Sequence, residues 1–78
     1  MNAKGMGDDL AGRMRAVRAY ARIDQEALAE RLGVSSGTVS AWERGKTRIP
    51  TIARPGVVEA LVEVSGWDRA FFTEGVGR

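Results

Sequence analysis

An all-α domain of five helices around one core is the fold that this sequence predicts. Three observations carry the prediction. Apolar residues recur at helical spacing in successive stretches, capping residues and glycines stand where those stretches begin and end, and no segment keeps a strand signal beside them. At 78 residues the chain has room for one core only; a domain of this size buries about 60% of the surface that its unfolded form exposes.

The first seven residues hold Gly5, Gly7, Asn2 and Lys4 and offer little to pack, so 1–7 is expected to be a flexible arm. Asp8 and Asp9 place carboxylates where the positive end of a helix dipole favours them. Leu10, Met14, Val17 and Ala21 then recur at helical spacing and predict a first helix over 9–21. Asp24 is a good N-cap for a second helix, 25–32, whose inner stripe is Ala27 or Leu28, Ala29 and Leu32. Gly33 ends it by taking the left-handed conformation. Ser35 caps a third helix of about 36–44, with Val39 and Trp42 facing inward and Gly45 as its stop. Two short helices joined by a brief turn with glycine are the signature of a helix-turn-helix, here at about 25–44.

Residues 45–56 read as a loop, because Lys46, Thr47, Arg48, Pro50 and Pro55 oppose regular structure. Pro55 fits the first position of a fourth helix, where its missing N–H costs nothing. That helix, about 56–64, carries Val57, Val58, Leu61, Val62 and Val64 and stops at Ser65–Gly66. Asp68 then caps a short fifth helix carrying Phe71 and Phe72. The domain is expected to span 8–73, with 74–78 a flexible tail.

Composition excludes several classes of function. The chain has neither cysteine nor histidine, which removes a disulfide framework, thiolate zinc sites and imidazole bases. No metal and no cofactor is expected. Apolar runs reach only two or three residues, and Met1–Gly7 lacks the apolar region of a signal peptide, so the expected location is the cytoplasm. Charge is unevenly distributed. Residues 13–54 carry nine basic side chains against four acidic ones, whereas 55–78 carry two against four. A basic segment with acidic flanks suits a polyanion partner.

Gln25-Glu26-Ala27-Leu28-Ala29-Glu30-Arg31-Leu32-Gly33-Val34-Ser35, followed by Thr38-Val39-Ser40-Ala41-Trp42-Glu43-Arg44-Gly45-Lys46, resembles the Cro/CI-type (XRE-like, lambda-repressor-like) DNA-binding domains. The resemblance covers about Leu10–Thr51 well and Val57–Phe72 loosely. It implies that Ala29 lies where the two helices cross, and that helix three enters the major groove of double-stranded DNA. Ser36, Gly37, Ser40 and Ala41 then occupy the base-reading positions. Gln25, Ser35, Thr38, Arg44, Lys46, Thr47 and Arg48 become phosphate contacts, with Arg15 on helix one a further one. The resemblance also implies an ion pair between Arg18 and Glu43 that ties helix one to the end of helix three. Phe71 and Phe72 either finish the core or form a dimer contact, the latter because adjacent helical residues cannot both point inward.

The implied function is a sequence-specific transcriptional regulator, most like a small phage Cro protein or immunity repressor. It would bind operator DNA as a homodimer, with a monomer on DNA as the alternative. No membrane and no small-molecule substrate is expected. The base-reading side chains are shorter than the family's usual Gln, Asn or Arg, so few direct base contacts and more shape readout are expected. Arg22 stands where the family has glycine, which predicts a different end to helix one. The link over 51–56 is about three residues longer than usual. One rival reading is an antitoxin that neutralises a partner protein, although only Thr73–Arg78 trails the domain. The other is an enzyme, for which no convergent Asp, Glu or Lys constellation is offered.

Overall fold

The structure, a computed structural model, describes residues 9–73. The arm and tail expected at the two ends lie outside the described residues. Five α-helices follow in order: α1 Asp9–Ala21, α2 Gln25–Leu32, α3 Ser36–Glu43, α4 Arg54–Ser65 and α5 Ala70–Thr73. A 3-10 turn, Thr51–Ala53, precedes α4, and the described residues contain no strand. The α2–α3 pair packs against α1 and α4, and α5 closes over α1 and α4.

Leu10, Met14 and Val17 on α1, Leu28 on α2, Val39 on α3, Val57 and Leu61 on α4 and Phe72 on α5 form the centre of one core. Fully burying a side chain of this kind is worth about 1.5–3 kcal/mol, so each helix is held mainly by the stripe it contributes. Ala29 is buried in the α2–α3 pair; a larger residue there would force the two helices apart.

The local signals around α2 and α3 are strong. Asp24 Oδ1 accepts the Ala27 N–H at 2.8 Å, which satisfies one of the orphan donors of a helix start. Gly33 takes φ +74°, and the Val34 N–H donates to the Ala29 carbonyl at 3.0 Å to close α2. One residue later Ser35 Oγ accepts the Thr38 N–H at 3.1 Å and starts α3. The turn between the two helices is therefore only residues 33–35.

Three expectations are corrected. The fourth helix begins at Arg54 rather than near 56, with Pro55 inside its first turn, where an N–H would have no helical partner anyway. Helix one does not find another way to end: Arg22 itself takes the left-handed conformation, φ +59°. The Ile23 N–H donates to the Arg18 carbonyl at 3.1 Å across that turn. Phe72, expected at a dimer contact, is 1% exposed and belongs to the core, whereas Phe71 is 47% exposed. Successive helical positions diverge by about 100°, so burying one aromatic turns the next outward.

Candidate nucleic-acid interface

Glu43, the last residue of α3, is the one buried charged residue among those described. Its carboxylate accepts three hydrogen bonds. Arg18 of α1 donates through Nε to Oε2 at 2.8 Å and through Nη2 to Oε1 at 2.9 Å, and Gln25 of α2 donates through Nε2 to Oε1 at 3.0 Å. One side chain thus ties three helices together and sets the angle at which α3 stands on the domain. Planar guanidinium and carboxylate groups meeting by two parallel bonds make the strong form of this contact.

The hydrogen bond to Glu43 raises the Arg18 guanidinium above its ordinary range; burial opposes the shift, and the negative charges of Glu43 and Asp24 add to it. A group whose folded value is raised contributes stability at every pH below its unfolded value. The contribution of Arg18 therefore persists through the physiological range and is lost only in strong alkali.

Gln25, a phosphate contact by the resemblance, also serves the three-helix tie. One of its two amide hydrogens is committed to Glu43. Ser35 and Thr38 are likewise engaged with each other, their hydroxyl oxygens 2.9 Å apart across the start of α3. All three reach a phosphate only through their remaining valences.

The outward face of α3 carries Ser36 and Gly37, both exposed, and Ser40 and Ala41, both half-buried. A methyl group built on Gly37 would meet nothing closer than Ser35 Oγ at 3.8 Å. The fold itself does not require glycine there, although glycine weakens a helix interior by about 0.8–1 kcal/mol relative to alanine. An α-helix with its side chains is about 10–12 Å across and fits a major groove about 12 Å wide.

After α3, the Lys46 N–H donates to the Ala41 carbonyl at 2.9 Å and Gly45 takes φ +75°, turning the chain sharply. Ile49 then inserts into the core, 3% exposed. Between these two fixed points Lys46, Thr47 and Arg48 are all exposed. Ile49, between Arg48 and Pro50, is an anchor that the sequence does not distinguish from Ile52 in the same loop, which is 90% exposed. Arg44 is exposed and its Nε reaches the Ser40 carbonyl at 3.4 Å.

Charges sort by side. On the α4 side, Arg31 pairs with Glu63 and Arg69 with Glu59. The side chains of Arg15 on α1 and of Lys46 and Arg48 after α3 make no ion pair or hydrogen bond among the described residues. Uncommitted cations flanking a protruding helix form a surface complementary to a phosphate backbone.

Among the described residues no group of three or more acidic, histidine or cysteine side chains could hold a metal ion, and no helix is long and apolar enough to cross a membrane. A family model described as a helix-turn-helix domain matches residues 9–71. No curated protein and no solved structure matches the chain.

Proposed function

The chain belongs to the helix-turn-helix domain family and is a DNA-binding regulator; from that premise we propose that it reads a specific double-stranded operator as a small repressor of the Cro kind, acting at the bacterial nucleoid. The observation that carries this reading is the pairing of a locked α3 with uncommitted cations. Glu43 holds α3 through α1 and α2, and the exposed Lys46 and Arg48 follow directly on a loop pinned by Ile49.

In this reading α3 lies in the major groove with Ser36, Gly37, Ser40 and Ala41 toward the bases. Serine hydroxyls donate to or accept from several base edges, and Ala41 touches a thymine methyl. Short side chains leave much of the discrimination to groove shape and duplex deformability. Lys46, Thr47, Arg48, Arg44 and Arg15 hold phosphates, with Gln25, Ser35 and Thr38 contributing through their remaining side-chain valences. Two copies meet on DNA through the exposed Phe71, which stacks edge-on against Trp67 at 5.0 Å. The two-fold places one α3 in each of two successive major grooves.

Fluorescence anisotropy with a labelled 30-base-pair duplex tests the electrostatic core of this proposal. Neutralising four or five phosphates predicts that affinity falls roughly 100- to 500-fold between 50 and 200 mM salt. Absence of binding at 50 mM salt, or affinity indifferent to salt, would remove the proposal.

A further inference from the structure

We infer that Arg22 is a contact to the DNA phosphate backbone, kept in a backbone conformation that a side chain disfavours. The inference rests on the DNA-binding reading and adds a residue to it. Among the described residues Arg22 alone combines a side chain with a positive φ, +59°. Elsewhere in the chain this conformation is taken by Gly33, Gly45 and Gly66, at φ of 74–75°, since glycine has no Cβ to clash.

The turn cannot relax at Arg22 without losing what surrounds it. The Ile23 N–H donates to the Arg18 carbonyl at 3.1 Å, while Arg18 Nη1 donates to the Ile23 carbonyl at 3.2 Å. Ile23 itself packs on the core. Glycine at position 22 would satisfy the same turn without strain. Among the described residues the exposed Arg22 side chain makes no hydrogen bond or ion pair that would offset the cost of arginine. Strain kept at an exposed, unpartnered cation points to something the fold binds.

The basic balance of residues 13–54 and the DNA-binding reading make that partner a phosphate. Arg22 stands three residues before the start of α2, where Asp24, Gln25 and Glu26 line an open concavity of about 390 Å³ together with Arg18 and Ser36. Arg18 is committed to Glu43. A phosphate strand passing this edge therefore meets the carboxylates of Asp24 and Glu26, and Arg22 is the neighbouring cation free to offset them. Arg15, on α1, is also exposed.

Anisotropy over a salt series and thermal melting, on the wild type and three variants, test the inference. Arg22→Gln removes the charge but keeps the strain. It is expected to melt with the wild type, to bind duplex roughly 5- to 10-fold more weakly at 0.1 M salt, and to show a salt slope shallower by about 0.9. Arg22→Gly is expected to lose the same affinity while melting about 4 °C higher. Arg22→Lys keeps the wild-type slope. If the glutamine and glycine variants bind with wild-type affinity and slope, or if lysine fails to keep the slope, the inference is overturned while the DNA-binding reading stands. A lower melting temperature for the glycine variant would overturn the strain argument. A wild type that binds no duplex overturns both the reading and the inference, and that result is visible before any variant is compared.

Discussion

Replacing Glu43 with alanine is expected to lower stability by about 2–3 kcal/mol, which for a domain of this size is a fall of about 10–20 °C in Tm. Glu43 is 2% exposed at its side chain and accepts from both Arg18 and Gln25. Truncation leaves a guanidinium and an amide at the junction of α1, α2 and α3 with their common acceptor gone. The Arg18 side chain is 22% exposed, so water reaches part of it, and the expected cost sits below the 3–5 kcal/mol typical of a fully buried pair. Glu43→Gln, which keeps the shape and one carbonyl acceptor, is expected to fall between wild type and alanine. Glu63→Ala removes an exposed partner of Arg31 and is expected to change stability by less than about 0.5 kcal/mol. Melting of the three variants by circular dichroism checks the order. A Glu43→Ala protein that melts with the wild type would show that the three-helix tie contributes nothing.

The largest effect on binding is expected from Lys46 and Arg48 together. Both side chains are exposed and free of carboxylates among the described residues, so Lys46→Gln with Arg48→Gln should leave melting unchanged. Losing two phosphate contacts should weaken duplex binding roughly 50-fold at 0.1 M salt and make the salt slope shallower by about 2. The loss should be similar on every duplex, because phosphates carry no sequence information. Ile49→Ala is a different perturbation, since it frees the loop from the core and destabilises the fold as well. An unchanged salt slope in the double variant would take the loop out of the interface.

The parts of the fold legible in the sequence are those governed by local chemistry. The bounds of α1 and α2 follow from Leu10, Met14 and Val17 on one face and from Asp24 and Gly33 at the ends of α2, each acting within a turn or two of itself. Helix α4 was misplaced by two residues because proline was given the first helical position, when any position in the first turn tolerates it. Phe71 and Phe72 could not be told apart: which of two adjacent aromatics turns inward depends on how α5 docks on α1 and α4. Ile49 and Ile52 could not be told apart for the same reason: neither belongs to a periodic stretch, and only the packing buries the first and exposes the second.

The site was legible to a similar depth. Arg18 and Glu43 lie 25 positions apart, and only the family pattern pairs them. That pattern carried no hint that Gln25 would share the same carboxylate. At Arg22 the departure from glycine was visible in the sequence, but its outcome required the conformation. The turn closed by Ile23 and Arg18 outweighs the preference of one side chain.

The central claim is that α3 reads a specific duplex. It is tested most directly by selection from a pool of randomised duplexes at moderate salt, sequencing what the pure protein retains. The account predicts an enriched two-fold motif whose half-sites are centred about one helical turn apart. An enriched but asymmetric motif would keep the specific reader and remove Phe71 as a dimer contact. No enrichment, with retention that vanishes as salt rises, would contradict the claim.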